Sequence, residues 1–204
     1  MNEFDLKAKD WDQDPARRER ARAVADAIRA NAPLSKTMTA LEYGCGTGLL
    51  SFALYGDIGP VTLADSSEGM LETLRGKIAA AGLTGMTPLK LDLAADPPPA
   101  ERFDLVYTLM TLHHIPDTDR ILRQFHDLLK PGGWVAVSDL DKEDGSFHGP
   151  GFDGHLGFDR AALAAQLEAA GFTGVRAATA HELRHETAAG PKTFPMFLLV
   201  GRRP

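Results

Sequence analysis

The sequence has a single cysteine, Cys45, and no long apolar segment, and both features narrow the kinds of protein it can be. One cysteine cannot form an internal disulfide, and inside a glycine-rich segment we interpret it as a small packing residue. No segment approaches the roughly 18 consecutive apolar residues that span a membrane, and the charged N-terminus, MNEFDLKAKDW, does not resemble a signal peptide. We therefore expect a cytoplasmic protein with no membrane insertion.

An excess of basic residues is also lacking, because 22 Lys and Arg residues stand against 28 Asp and Glu residues, giving a net charge of −6. This balance does not support binding through phosphate neutralisation, so we expect no nucleic-acid partner. The chain has one local cluster of basic residues, Arg17, Arg18, Arg20 and Arg22. On a helix these side chains point in several directions among acidic residues, and we interpret them as a solvated face.

The length and composition predict one domain over residues 1–204. With 204 residues, 44% of them hydrophobic, the chain can build one continuous core and is too short for two ordinary domains. Residues 1–32 are expected to form an N-terminal helical cap segment, because Asp14 and Pro15 start a helical pattern that continues to residue 30.

Predicted strands alternate with amphipathic helices after the N-terminal segment. A first strand ends before Gly44, and later strands are predicted at residues 60–64, 86–91, 103–109, 134–138, 174–180 and 194–201. Helices are predicted at residues 14–30, from the cap Ser66 to Gly82, and at 117–129 and 158–170. Short connections between them imply βαβ units, a parallel sheet and helices on both faces.

The last two strands can pair as a hairpin across a turn-like stretch at residues 187–192, which makes the final strand antiparallel. The predicted fold is therefore α/β, doubly wound, with a mostly parallel seven-stranded sheet. Residues 140–157 interrupt the alternation and are rich in Gly, Asp and His. Because they follow the fifth strand, they are expected to cross the carboxyl edge of the sheet as a lid or substrate loop.

The segment at residues 38–54, MTALEYGCGTGLLSFAL, combines a strand, a tight loop and a helix start. Gly44, Gly46 and Gly48 tolerate positive φ and let backbone N–H groups and a helix N-terminus approach a ligand closely. The dinucleotide fingerprint G-x-G-x-x-G/A would need a small residue at position 49, where this chain has Leu49. The loop thus predicts a nucleotide-like ligand, and its spacing disfavours a dinucleotide.

Several motifs lie in register at the carboxyl ends of the predicted strands, where ligands bind in open α/β sheets. They are LEYGCGTG, VTLADSSEGML, LDL at residues 91–93, FDLVYTLMTLHHI and LKPGGW. Together they resemble the class I S-adenosylmethionine (SAM) dependent methyltransferases, in particular the small-molecule branch of ubiquinone and menaquinone biosynthesis methyltransferases. The resemblance implies a Rossmann-like methyltransferase fold, SAM as cofactor, and a small-molecule methyl acceptor such as an aromatic or quinone-like metabolite.

Three acidic residues are the main candidates for binding this cofactor. Asp65 ends the second strand about 20 residues after Gly44, so its carboxylate can accept two hydrogen bonds from the ribose hydroxyls. By the family pattern Asp92 accepts the adenine amino proton, with a solvated loop acid as the alternative. Glu42 is expected to complement the cofactor's ammonium, because a glutamate inside a strand is costly to bury without a partner.

The resemblance also implies cofactor contacts from the glycine loop and from later strand ends. The further candidates are Gly44, Cys45, Gly46, Gly48, Ser66, Met70, Leu93 and Thr108. Met70 is expected to cover the adenine face or to belong to the core. Trp11 corresponds to an aromatic residue that closes over the cofactor in this branch, or it fixes the N-terminal segment to the core.

Four histidines are candidates for the acceptor side. His113 and His114 follow the fourth strand, where a histidine can remove a proton from a nucleophile; the alternative is that they shape the pocket. His148 and His155 lie in the 140–157 segment, and their spacing matches no regular metal site, so we interpret them as polar lid residues that touch substrate. No metal site is expected.

The sequence therefore predicts a methyltransferase for O-, C- or N-methylation. Methyl transfer needs mainly alignment of cofactor and acceptor, so the absence of a catalytic triad does not argue against an enzyme. Two alternatives stay open: a nicotinamide-dependent oxidoreductase on a similar fold, and a non-catalytic SAM-binding module. Both a monomer and a homodimer are compatible with the sequence.

Overall fold

In the computed structural model, which describes residues 3–204, strands and helices alternate from residue 40 onwards. The strands are β1 (Ala40–Tyr43), β2 (Val61–Asp65), β3 (Met86–Lys90), β4 (Phe103–Leu109), β5 (Leu129–Leu140), β6 (Thr173–Thr187) and β7 (Gly190–Arg202). The helices are α1 (Glu3–Lys7), α2 (Pro15–Asn31), α3 (Leu49–Ala53), α4 (Glu68–Ala81), α5 (Thr118–Leu128) and α6 (Arg160–Ala169). Short 3₁₀ turns cover Ala8–Gln13 and Leu112–His114.

The strands form one seven-stranded sheet in the order β3-β2-β1-β4-β5-β7-β6. Strands β1 to β5 pair in parallel, whereas β7 runs antiparallel to both of its neighbours, β5 and β6. This confirms the predicted α/β fold with an antiparallel last strand. The strand order reverses between β1 and β4, and such a reversal opens a crevice at the carboxyl ends of the strands.

Helices cover both faces of the sheet. On one face α2, α3 and α4 bury apolar residues that include Val24, Leu50 and Leu74. On the other face α5 and α6 do the same with residues that include Phe125 and Leu167. Burying each large side chain of this kind stabilises the fold by roughly 1.5–3 kcal/mol. Within residues 3–204, none of the helices combines the length and the apolar character that crossing a membrane requires.

Two helix starts test the predicted caps. Asp14 caps α2, since its carboxylate accepts a hydrogen bond from the Ala16 N–H at 2.9 Å. The prediction that Ser66 caps the following helix is wrong, because Ser66 is exposed and the cap of α4 is Ser67. The reason is a local turn: Asp65 Oδ1 accepts the Ser67 N–H at 2.8 Å, which carries the chain one residue further before the helix begins.

Strand β5 begins directly after α5, at Leu129, and not at Trp134 as predicted. Leu129 pairs with Phe103, and pairing resumes at Trp134 and Leu105 after a register shift. Residues 131–133, a Pro-Gly-Gly sequence, fill this irregularity. The glycines therefore interrupt the ladder locally without ending the strand.

The final hairpin is longer than predicted, because β6 and β7 continue to a tight turn at residues 188–189. The turn therefore lies inside the predicted stretch at residues 187–192, but it occupies only residues 188–189, and the rest of the stretch is strand. The outer part of β6 carries polar residues on both faces, which hides the alternation typical of a half-buried strand. Leu183 and Phe194 pair there and are buried, which ties this part of the hairpin to the core.

Candidate active site

The glycine loop, residues 44–48, connects β1 to α3 at the strand reversal. Gly44 has φ +70°, and a Cβ added there would lie 2.3 Å from the Thr111 side chain. Gly48 has φ +81°, and its Cβ would lie 2.7 Å from Leu74 Cδ1. Neither position accepts a larger residue without strain, because positive φ and the close neighbour both oppose a side chain. The loop conformation therefore depends on these glycines.

The Asp65 carboxylate at the end of β2 holds the glycine loop. Its Oδ2 accepts the Gly46 N–H at 2.7 Å, and its Oδ1 accepts the Ser67 N–H at 2.8 Å. Burial raises the pKa of Asp65, while these backbone N–H groups act in the opposite direction. Each carboxylate oxygen can accept a second hydrogen bond. Asp65 therefore combines a fixed position with unused acceptor capacity, as a ribose-binding residue requires.

The space around Gly46 is bounded by two predicted cofactor contacts. Among residues 3–204, a Cβ added at Gly46 would have two neighbours within 4 Å, Met70 Sδ and Trp11 Nε1, both at 3.9 Å. Met70 is buried on α4, and Trp11 lies in the 3₁₀ turn that precedes α2. The structure thus brings both side chains to the glycine loop, and their contact with a bound cofactor stays a prediction.

The N-terminal segment is fastened across this loop by polar contacts. Asp12 accepts a hydrogen bond from Thr47 Oγ1 and forms an ion pair with Lys77. Asp5 accepts hydrogen bonds from Ser67 Oγ at 2.6 Å and from the Gly69 N–H at 3.0 Å. Residues 3–13 therefore lie over the carboxyl edge of β1 and β2, and a cap role for residues 1–32 stays a prediction, with residues 1 and 2 outside the described part.

Glu42 lies beneath the loop and is 2% exposed. Its carboxyl group accepts a hydrogen bond from Ser51 Oγ, which also contacts the Tyr107 hydroxyl at 2.5 Å. Burial raises the pKa of Glu42 to about 8, although the Ser51 hydrogen bonds act in the opposite direction. The group is therefore mostly protonated at neutral pH, and its predicted contact with an ammonium stays untested.

The candidates at the ends of β3 and β4 are connected through Tyr43. The Leu93 N–H donates to Tyr43 Oη at 3.1 Å, and Thr108 Oγ1 donates to the Tyr43 carbonyl at 2.8 Å. Half-buried Asp92 accepts the Ala94 N–H at 2.9 Å and keeps further acceptor capacity. The Leu93 N–H and the Thr108 hydroxyl are thus hydrogen-bonded within the protein, whereas the Asp92 carboxylate can still accept a hydrogen bond from the amino group of a ligand.

His113 forms a buried pair with Asp139 at the end of β5. The Asp139 carboxylate accepts His113 Nδ1–H at 2.7 Å and the His113 backbone N–H at 3.2 Å. Because a carboxylate only accepts, Nδ1 carries a proton, and Nε2 is the ring nitrogen that this pair does not use. Nε2 is buried and makes no hydrogen bond within residues 3–204. This arrangement is that of a proton acceptor held by a second residue.

His114 and His148 lie in different surroundings from His113. Partial burial, with a smaller contribution from the neighbouring His113, lowers the pKa of each to about 4, so both are neutral and weakly basic at pH 7. His148 stacks on Phe152 with ring centroids 3.8 Å apart and lies 4.9 Å from His113. His114 packs edge-on against Phe4 at 5.3 Å. These five rings form what we name the ring cluster.

The 140–157 segment is fastened to the turn that carries His113. The His155 N–H donates to the His113 carbonyl at 2.8 Å, and His155 Nε2 donates to the Ile115 carbonyl at 2.9 Å. Of the two predicted lid histidines, only His148 therefore joins the ring cluster. No group of His, Cys, Asp and Glu side chains among the described residues has the arrangement of a metal site.

Cys45 is buried, and burial raises the pKa of its thiol well above the usual value, so it fits a packing role.

Two arginines of α2 are partly covered by other parts of the protein. Arg17 lies over the Trp11 ring at 3.8 Å, and Arg20 has a buried Nε. The prediction of a solvated arginine face is therefore wrong for these two. Arg20 precedes the buried Val24 by one helical turn, a signal that would have placed it beside the core.

Comparison with known proteins identifies the family. A family model described as a methyltransferase domain matches residues 16–177. The chain is 34% identical over 110 residues to the ubiquinone biosynthesis O-methyltransferase of Marinobacter nauticus, covering 53% of this chain and 46% of that protein. It is 32% identical over 119 residues to the ubiquinone/menaquinone biosynthesis C-methyltransferase of Pseudoalteromonas translucida, covering 56% of this chain and 47% of that protein.

A solved structure shows the same fold over almost the whole chain. The crystal structure of a SAM-dependent methyltransferase from Aquifex aeolicus superposes with a TM-score of 0.69 and 21% identity, covering 98% of both chains. The chain spans about half the length of the curated relatives described above. Because the methyltransferase model matches most of its residues, the chain belongs to the methyltransferase domain family.

Proposed function

We propose that this protein is a SAM-dependent methyltransferase that methylates a hydroxyl group of a small molecule, with His113 as the general base. The observation that carries the proposal is the His113–Asp139 pair, whose free Nε2 lies in the turn that follows β4. An unassisted hydroxyl is a weak nucleophile, so a positioned base is useful for O-methylation and unnecessary for an amine acceptor. The relatives with quinone-biosynthesis names support an aromatic or quinone-like acceptor.

The residues around the glycine loop fit SAM. Asp65 would accept the ribose hydroxyls, Asp92 the adenine amino proton, and the N–H groups of the loop would meet the amino-acid portion. Met70 and Trp11 border the loop, at the position that a covering side chain needs. When bound, SAM supplies an electrophilic methyl group on a sulfonium.

The chain's own part in the reaction is to hold the acceptor and receive its proton. His113 Nε2 takes the hydroxyl proton, and the negative charge of Asp139 stabilises the resulting imidazolium and keeps the ring in one tautomer. General-base catalysis of this kind contributes about 10²–10⁴-fold to the rate. Phe4 and Phe152 of the ring cluster supply apolar surface that helps to exclude water, and orientation of the reactants lowers the barrier by roughly 7–11 kcal/mol more.

The test combines a substrate screen with a variant of the base. Purified protein is incubated with methyl-labelled SAM and a small-molecule extract, and labelled products are separated. With the acceptor identified, His113→Ala is expected to lower kcat by about 10²–10⁴-fold while the SAM dissociation constant changes little. Added imidazole should restore part of the rate, which a purely structural histidine would not show.

His181→Ala, on β6 and outside the ring cluster, is the matched control and should behave as wild type. Wild-type turnover by His113→Ala would refute the base assignment while leaving methyl transfer in place. Tight SAM binding without any labelled product from the extract would favour the non-catalytic binding module instead.

A further inference from the structure

Arg20 on α2 has a buried Nε atom that makes no hydrogen bond within the described part of the chain. Buried polar atoms are normally hydrogen-bonded, and a buried guanidinium is normally paired. Two charged residues that act on Arg20, Arg17 on α2 and the cap residue Asp14, already have other partners. Arg17 lies over Trp11 and donates to the Trp11 carbonyl at 3.1 Å, and Asp14 caps α2 and contacts Arg17 at 3.4 Å.

Asp139 is the third charged neighbour, and it does not pair with Arg20 either. Its Oδ1 accepts His113 Nδ1–H at 2.7 Å and the Leu140 N–H at 2.8 Å, and its Oδ2 accepts the His113 N–H at 3.2 Å. Asp139 nevertheless acts to raise the pKa of Arg20, against the larger effect of burial. Arg20 follows Arg17 by about one helical turn on α2, next to the residue that covers Trp11, and it interacts electrostatically with Asp139, the partner of His113.

An unpaired nitrogen atom of His148 is a second indication of a binding site near Asp139. His148 Nε2, like His113 Nε2, is buried without a hydrogen-bond partner among residues 3–204. Asp139 also acts to raise the pKa of His148. Three unpaired nitrogen atoms, on α2, on the turn after β4 and on the 140–157 segment, thus belong to residues that interact with one buried carboxylate. This concentration of unsatisfied polar atoms is typical of a binding site for a polar molecule.

We propose that Arg20 binds a carboxylate group of the methyl acceptor, so that the substrate class is a small hydroxy acid. This rests on the proposed function, in which His113 receives the hydroxyl proton of the same molecule. A guanidinium presents Nε–H and Nη–H in a planar fork that matches a carboxylate. The one positive charge of Arg20, partly offset by the negative charge of Asp139, suits a monoanion, whereas a phosphate dianion would need more positive charge.

Carboxylate binding can be measured without knowing the natural acceptor. Protein labelled with ¹⁵N-arginine and saturated with S-adenosylhomocysteine is titrated with sodium benzoate, sodium acetate, phenyl phosphate and neutral benzamide, and the Arg20 Nε–H resonance is followed. Arg20→Lys assigns the resonance, and Arg22→Gln, an exposed arginine on the same helix, is the matched control.

Benzoate or acetate should shift the Arg20 resonance saturably, benzamide should not, and Arg20→Lys should weaken benzoate binding roughly 10- to 100-fold. Arg22→Gln should bind benzoate as wild type does. A resonance that neither carboxylate moves, that benzamide moves equally, or that only phenyl phosphate moves would overturn the inference.

Methyl transfer from labelled SAM is measured on the same samples, which separates the two proposals. If carboxylates bind at Arg20 but no methyl transfer is detected, the proposed function is contradicted, whereas the carboxylate site at Arg20 is not. Equal turnover of one acceptor by wild type and Arg20→Lys would overturn the role of Arg20 and leave the proposed function intact.

Discussion

Glu42→Gln is expected to reduce the pH dependence of folding stability. Burial raises the pKa of Glu42 from 4.5 to about 8 in the native state. Between these values the native protein keeps a proton that the unfolded chain has lost, so the free energy of unfolding falls as the pH rises. At about 1.36 kcal/mol per pKa unit, this loss amounts to roughly 5 kcal/mol by the time the pH passes the native pKa.

The assay is urea unfolding at several values between about pH 5 and pH 9, evaluated as the free energy of unfolding. The wild type should lose stability over this range more steeply than Glu42→Gln, whose side chain cannot ionise. Glu72→Gln, at an exposed position of α4, should follow the wild type. Parallel pH profiles for wild type and Glu42→Gln would refute the assignment of a buried, protonated carboxyl beneath the glycine loop.

Three further predictions concern the loop and its surroundings. Asp65→Ala should weaken SAM binding by about 2–5 kcal/mol, or roughly 30-fold to a few thousand-fold, in calorimetric titration, and unchanged affinity would exclude the ribose role. Gly48→Ala should lower the melting temperature, because the added Cβ would lie 2.7 Å from Leu74 Cδ1. Gly76→Ala is the control and should raise the melting temperature, because Gly76 is exposed on α4, has open space for a Cβ, and alanine favours a helix more than glycine does. Cys45 should react with a thiol reagent far more slowly in the native protein than in guanidinium, since burial raises its pKa; equal rates would contradict its burial.

The sheet and the main site acids could be predicted because their signals are local. Short β-branched runs, each followed by a helical pattern, fixed the parallel strands, and Asp65 ends such a run. The glycine loop was predictable for the same reason, since positive φ at Gly44 and Gly48 selects glycine directly.

The contacts that distinguish the histidines could not be predicted, because they depend on residues far apart in sequence. His113 and His114 are adjacent and equivalent in a pattern, yet only His113 meets Asp139, 26 residues later. The helical spacing places Arg20 beside the core position Val24, but it does not show whether distant parts of the chain supply a hydrogen-bond partner for Arg20 Nε.

The most direct test of the account is calorimetric titration of the purified protein with SAM and, separately, with NADH. The glycine spacing and the antiparallel β7 favour SAM over a nicotinamide dinucleotide, whereas Asp65 at the end of β2 suits the ribose of either ligand. We expect saturable binding of SAM and no binding of NADH. Binding of NADH, without binding of SAM, would contradict it.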